Sequence, residues 1–297
     1  MLRAASRARG RREGAALVEF AFIALAFYLL FAGTVEVGRM VFSLQTLRDA
    51  SYVGARELAH VELPATASFD EALSDPLVRE TVFDPGLLVL DTDAMDDVTF
   101  QQRINSFPAL NRMLTPLMIR ERLDLGAGER EYFHYPGAIV RIVNPGPFDP
   151  PFTVMIPKVV SRDADGVETI EWLPVVEEVR PDTYAADPAT APFSLASTGR
   201  QRGLVSLRVN YPYQAASMSA FLPTGTGVNT PAQANDEGVV EAASLPSGQE
   251  LANAQGGNQT YSGRYGLGKQ FALGQQVRPF RRLLTSQAMF RREVFSR

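Results

Sequence analysis

The length, composition and charge of this 297-residue chain set the first limits on what it can be. A hydrophobic content of 45% is enough to bury a core, so the chain is expected to fold. The absence of cysteine excludes disulfide frameworks, thiolate metal sites and cysteine nucleophiles. A net charge of −4 argues against a general nucleic-acid binder, which normally carries a basic domain.

Residues 1–14 form a basic leader. They contain five arginines and one acidic residue, which gives a net charge of +4 and leaves −8 for residues 15–297. A basic leader followed directly by a long apolar run is a targeting signature. We therefore treat residues 1–14 as separate from the folded part of the chain.

The run from Ala15 to Val35 has the length of a membrane span, about 31 Å as a helix, and its only charge is Glu19. The leader arginines before it, and the acidic remainder after it, predict a single-pass inner-membrane protein with a cytoplasmic N-terminus. Glu36, at the far interface, is expected to be solvated. A cleaved secretory peptide is the alternative, but the sixteen uncharged residues of Phe20–Val35 exceed the usual apolar core of about 7–15 residues.

Glu19 is the residue that most needs an explanation. A carboxylate at mid-bilayer costs about 2.5–3.5 kcal/mol, although near a helix end it can reach the interface or be protonated. The surrounding letters, GAALVEF from Gly14 to Phe20, resemble the processing site of type IV prepilins. Further matches over Val35–Arg39 and Ala50–Arg56 resemble the TadE-like family of tight-adherence (Flp, type IVc) pilus systems, so the resemblance covers residues 10–58.

That resemblance implies a role for each residue of the site. A prepilin peptidase would cut after Gly14 and free the amine of Ala15. Glu19 and Phe20 would then be subunit-docking residues, with the carboxylate meeting the new amine of a neighbouring subunit in a low-dielectric setting. The implied partners are the prepilin peptidase, other pilin or pseudopilin subunits and inner-membrane lipid, with no nucleic acid.

Beyond the span, apolar and small residues recur at spacings of three and four, which predicts one helix over residues 15–62, ended by Pro64. These residues form one stripe of the helix: Val41, Leu44, Leu47, Ser51, Gly54, Leu58 and Val61. An extracytoplasmic α+β head is predicted over 63–222. The expected fold is pilin-like, with the long helix acting as a spine, over Val41–Val61, against one small antiparallel sheet. The predicted helical pieces of the head are Ser68–Arg79 and Asp97–Leu114, and its predicted strands are Ala138–Val143, Phe152–Ser161, Val167–Leu173 and Leu204–Tyr211.

Two features refine the strand prediction. Asp165-Gly166 is typical of a tight turn and predicts a hairpin of the second and third strands. Pro157 within the second strand indicates an edge position or a break, because proline cannot donate to a sheet ladder. After the head, residues 223–276 are rich in Gly, Pro, Ser and Asn and are expected to be flexible. Residues 277–297 are predicted to form a basic helix that packs on the head or contacts a partner or anionic lipid.

Sequence motifs for nucleotide binding, metal binding or catalysis match this chain poorly. The stretch Gly263–Gln270 has Gln270 where a phosphate-binding loop needs Ser or Thr, and no buried strand precedes it. The acidic patch over residues 91–97 lacks the glycine and terminal glutamate of a calcium loop. His60 and His134 belong to no nucleophile motif. We predict no catalytic residue, metal or cofactor, and a minor pilin or pseudopilin in adhesion or secretion; the alternative is an anchored envelope enzyme or binding protein outside any filament.

Overall fold

The fold is α+β, as predicted, with a long N-terminal helix and a head whose described residues form three mainly antiparallel sheets. The computed structural model describes residues 3–145, 150–162, 164, 168–179, 192–196, 202–220, 240–242, 245–252, 270–272 and 275–293. The helices are α1 (Arg3–His60), α2 (Phe69–Ser74), α3 (Pro76–Thr81), α4 (Asp97–Asn105) and α5 (Ala109–Leu114). The strands are β1 (Val89–Asp91), β2 (Ile119–Asp124), β3 (Glu129–His134), β4 (Ala138–Ile142), β5 (Phe152–Arg162), β6 (Glu168–Pro174), β7 (Val176–Glu178), β8 (Leu204–Ala220), β9 (Val240–Ala242), β10 (Gln249–Leu251), β11 (Gln270–Ala272) and β12 (Gln275–Arg291).

The first helix is continuous through the predicted membrane span and into the head. At 58 residues, α1 is about 87 Å long, and no break interrupts it at Gly33 or Gly38. Within the described residues, α1 is the one helix whose length and composition would allow it to cross a membrane.

The C-terminal half of α1 buries one face against the head. Leu47, Ser51, Gly54 and Leu58 of the predicted stripe are fully buried. The stripe is wrong at its start, because Val41 and Leu44 are 44% and 39% exposed. The buried face instead runs along small or polar residues, which let the strands approach the helix axis closely: Glu36, Ser43, Ala50 and Ala55.

The prediction of one sheet is wrong, although all four predicted strands exist. The first three, β4, β5 and β6, belong to a five-stranded sheet in the order β10-β4-β5-β6-β9. The fourth, β8, belongs to a separate sheet in the order β11-β12-β8-β7, and α1 packs on β8 and β12 of that sheet. A third sheet has the order β1-β3-β2.

The predicted pairing of β5 with β6 is confirmed, with Pro157 opposite Trp172, whereas Asp165-Gly166 lies outside the described residues. Pro157 lies where β5 pairs with β6 alone, because the pairing of β5 with β4 ends at Met155. The expected edge position is therefore found locally, within an otherwise central strand.

Proline divides each predicted helical piece of the head. Asp75 ends α2 and is also the N-cap of α3, whose first residue is Pro76. The side chain of Asp75 accepts a hydrogen bond from the Leu77 backbone N–H. Pro108 similarly separates α4 from α5. The prolines start new helices here because the residue before a proline is disfavoured in the helical conformation.

The predicted basic helix over 277–297 is wrong: Gln275–Arg291 form β12, which pairs with β8 from Arg278 to Arg291. From Leu284 to Arg291 inward and outward residues alternate, and an alternating pattern suits a half-buried strand. Three short strands, β9, β10 and β11, also lie within the segment predicted as flexible. Residues 263–269, most of the stretch that fails to match a phosphate-binding loop, lie outside the described residues.

Candidate functional site: the anchor and its junction with the head

The proposed processing site lies within the helical backbone of α1. Gly14 and Ala15 are both helical, and Glu19 and Phe20 follow one turn later on the same helix. Phe20 is 69% exposed and Glu19 is exposed. Within the part of the chain that the structure describes, Glu19 has no hydrogen bond or ion pair. The described part of the head therefore covers neither of these two residues.

The large apolar residues of the described span are exposed on all sides of the helix, from 43% at Val35 to 70% at Leu17. Leu17, Phe27, Leu30 and Phe31 are each 69–70% exposed, and the first residue of α1 buried by the head is Glu36. A 19-residue apolar segment therefore projects from the head. Burial of so much apolar surface is favourable, so lipid or other subunits are expected to cover it.

Glu36 lies at the point where this segment meets the head, and the expectation that water solvates it is wrong. The residue is 4% exposed, and the hydroxyl of Tyr213 donates to its Oε2 over 2.7 Å. The same hydroxyl lies 3.0 Å from the Glu36 backbone carbonyl oxygen, and Arg39 Nη1 lies 3.2 Å from Oε1. Bonds to a charged acceptor offset the cost of burying a carboxylate.

The electrostatics of this junction favour a protonated phenol. Burial, the hydrogen bond to Glu36 and the negative charge of Glu36 raise the pKa of Tyr213 to about 12, against the opposing effect of Arg39. Sequence reasoning missed the contact because the two residues are 177 positions apart. The available signal was the Tyr-Pro-Tyr motif within β8.

A second cluster ties the other end of α1 to β12. Arg292 is 5% exposed and donates to the carbonyl oxygens of Leu63 (2.9 Å), Pro64 (3.1 Å) and Phe193 (3.3 Å). Its guanidinium carbon lies 4.7 Å from the Phe193 ring centroid, and its burial lowers the pKa of the group. The Glu293 backbone N–H donates to the Ala59 carbonyl. These donors satisfy carbonyls at and just beyond the helix end.

The acidic patch over residues 91–97 and the two histidines make contacts within the fold. Asp96 caps α4, Asp91 pairs with Arg130 at 2.8 Å, and the carboxylate of Asp93 accepts from the Glu131 backbone N–H. The described residues contain no group of three or more potential metal ligands. His60 and His134 lie apart, with His60 3.3 Å from Glu293 and His134 buried 3.5 Å from Glu121.

A cavity of about 530 Å³ lies between α2, α3, β5 and β7. Its apolar walls include Phe69 and Val154, and its charged lining residues are Asp70, Arg79, Glu177 and Glu178. No histidine or lysine lies among the residues that line it. Its size suits a small ligand or a peptide side chain.

The part of α1 that contains the proposed processing site also matches a known protein family. Residues 14–56 match the family described as TadE-like protein. No curated protein and no solved structure matches the chain significantly. The TadE-like match ends within α1, so the three sheets lie outside it. Together with the apolar α1, it supports membrane anchoring and a general role as a minor pilin associated with tight-adherence pili. The TadE-like family itself is a structural one.

Proposed function

We propose that this protein is a membrane-anchored minor pilin or pseudopilin of a tight-adherence pilus or related secretion system, matured by a prepilin peptidase that cuts after Gly14. The observation that carries the proposal is the start of the TadE-like match at Gly14, the residue before the proposed cut. Adhesion would be a property of the assembled filament, to which this chain contributes as a subunit.

The exposure of Glu19 supports a docking role. A carboxylate that has no described partner in its own chain is available to the freed amine of a second subunit. Ala15 and Glu19 are four residues apart, about 6 Å along the helix axis. Direct pairing between subunits would therefore stagger neighbouring helices by about that distance. The peptidase supplies the proteolytic chemistry, and Glu19 takes no part in it.

The orientation follows from the charges on either side of the span. The leader arginines keep the N-terminus in the cytoplasm, and the head lies outside it. Because the chain has no cysteine, single cysteines can report on this topology in intact cells. In the uncleaved Gly14→Leu protein, which should keep its leader, an impermeant thiol reagent should label the exposed position 289 and leave position 5 unlabelled. The reverse pattern would contradict the orientation.

Mass spectrometry of the purified protein tests the processing step. In cells with an active prepilin peptidase, the protein should begin at Ala15, whereas Gly14→Leu should retain residues 1–14. Gly33→Leu is the matched control, because an added side chain at Gly33 would meet nothing within 4 Å and the cut site is unchanged. Wild-type protein that keeps its leader under these conditions would overturn the pilin mechanism.

A second candidate function is that of an anchored binding protein, which the cavity between α2, α3, β5 and β7 favours. Processing distinguishes the two, because a binding protein that acts alone does not need the cut after Gly14. An unprocessed protein that is fully functional in the envelope would favour this second reading.

A further inference from the structure

Strands β8 and β12 continue past the junction with the anchor. Arg282 of β12 pairs with Tyr213 of β8, and Tyr213 contacts Glu36 at the end of the predicted span. Farther along β12, Ser286 contacts Ser51, and the chain then reaches Ala59 through Glu293. From Arg282 back towards Gln275, the strand therefore runs in the direction of the membrane-spanning part of α1.

We call this continuation the distal ribbon: residues 214–220 of β8, residues 275–282 of β12, and β11, which pairs with the start of β12. From Arg282 to Gln275 the strand can extend at most about 23 Å. Glu36 directly follows Val35, where the predicted span ends, and each interfacial layer of a bilayer is only about 5–8 Å thick. The distal ribbon is thus long enough to reach the lipid headgroups.

The register of the ribbon changes where it would meet that surface. Pro279 pairs with Ser219, but Arg281 pairs with Gln214, so several β8 residues face one residue of β12. Irregularities of this kind bend a strand pair. A strand pair that reaches the bilayer surface has to bend along it, because open strand edges are not tolerated in the hydrocarbon region.

The charge of the distal ribbon is entirely of one sign. Its strands carry Arg278, Arg281 and Arg282 and contain no acidic residue. The side chain of Arg282 is exposed, and Arg39 lies at the same level of the anchor with 45% of its side chain exposed. Basic residues held near a bilayer are attracted to anionic headgroups.

We propose that the distal ribbon lies on the membrane surface around the anchor and binds anionic phospholipid headgroups through Arg278, Arg281 and Arg282. The membrane is the favoured partner because the anchor itself holds the ribbon at that surface. The proposal rests on α1 spanning the bilayer, but not on processing or filament assembly. Each arginine should strengthen the contact about fivefold.

Fluorophores on single cysteines in the full chain, reconstituted in nanodiscs, test the contact. Gln276→Cys reports on the ribbon, and Met289→Cys, which is 61% exposed near the other end of β12, is the matched control. Headgroup spin-labelled lipid should quench position 276 but not 289, and more strongly in discs that contain phosphatidylglycerol than in phosphatidylcholine alone. High salt should weaken the quenching.

Replacing the three arginines with glutamine should abolish the extra quenching in anionic discs and leave insertion unchanged. Equal quenching at positions 276 and 289, or equal quenching of position 276 in anionic and neutral discs, would overturn the proposal. Protection of position 276 that appears only when other pilus subunits are added would assign the ribbon to a protein partner instead. Failure of the chain to enter the disc would count against the anchor, a separate outcome read from co-elution with the disc.

Discussion

The hydroxyl of Tyr213 lies 2.7 Å from Oε2 of Glu36, and the two residues are 3% and 4% exposed. One belongs to a strand of the head and the other to the helix at the predicted end of its membrane span. The bond therefore fixes the head to α1 at the predicted end of the membrane span. Its donor is neutral and its acceptor is charged, which is the stronger class of hydrogen bond.

Tyr213→Phe removes the hydroxyl and should lower the free energy of unfolding by about 2 kcal/mol, because the buried carboxylate keeps Arg39 but loses its shorter hydrogen bond. Tyr52→Phe is the matched control and should change it little. Tyr52 lies on the same helix, is 53% exposed, and keeps its ring contact with Phe290 as phenylalanine. Urea unfolding of the full chain in detergent provides the measurement. Equal stability of the two variants would contradict the assigned bond.

The same bond predicts a loss of stability at alkaline pH. The pKa of Tyr213 is about 12 in the folded state, against about 10 for an unfolded tyrosine. Because the folded state holds the proton more tightly, this contribution is complete below about pH 10 and is lost as the pH rises towards 12. The difference in unfolding free energy between wild type and Tyr213→Phe should shrink across this window. A constant difference would contradict it.

Gly54 of α1 lies directly against Leu110 of α5 in a buried position. A Cβ added at Gly54 would clash with the Leu110 side chain, whereas one added at Gly38 would meet nothing within 4 Å. Gly54→Ala should lower the free energy of unfolding by about 1 kcal/mol or more, because overpacking outweighs the gain in helix propensity. Gly38→Ala should raise it slightly. Combining Gly54→Ala with Leu110→Ala should cost less than the sum of the single changes, and additive costs would count against the contact.

Arg292 should be the most sensitive arginine among those described. Arg292→Met leaves three carbonyl oxygens without their donor and removes the contact with the Phe193 ring, at a cost of about 2–4 kcal/mol in unfolding free energy. Arg292→Lys should recover only part of this loss, since an ammonium group lacks the planar fork of donors. The exposed Arg48 provides the control, as Arg48→Met. Full recovery by lysine would show that charge alone matters.

Variants of the two carboxylates of α1, Glu19 and Glu36, should have different effects: one on filament assembly and the other on the stability of the fold. Glu19→Ala should leave the unfolding free energy and membrane insertion unchanged, because the side chain is exposed and an apolar replacement removes a desolvation cost. Filament yield should nevertheless fall, because a neighbour's amine is left unpaired. Glu36→Ala should instead lower the unfolding free energy, although the Tyr213 hydroxyl can still donate a hydrogen bond to the backbone carbonyl oxygen of residue 36. Normal assembly of Glu19→Ala would remove the docking role.

Local patterns predicted the elements better than their arrangement. The β-branched runs of β4, β5 and β6 specify strands by themselves, and the pairing of β5 with β6 is between neighbours in sequence. Sheet membership depends on long-range pairing: β8 pairs with β12, from Arg278–Arg291, across a stretch of mixed composition. Nothing in a single sequence specifies that pairing.

The error at the C-terminus has a physical cause. Leucine, alanine, glutamine and arginine favour helices, and these residues dominate the second half of β12. The alternation from Leu284 to Arg291 and the proline at position 279 were the opposing signals, and tertiary pairing with β8 decided the outcome. Glu36 was misjudged for the same reason, because its partner Tyr213 lies in a distant strand.

The position of β12 also has a consequence for biosynthesis. One of the elements that cover the buried face of α1 is β12, a strand that begins about 215 residues after α1 ends. At roughly 5–20 residues per second, some 11–43 s separate the synthesis of the helix from that of its strand partner. Throughout that interval the buried face of α1 has only part of its cover. That face is therefore expected to stay partly uncovered until β12 is made, and truncations before β12 should be degraded and not partly folded.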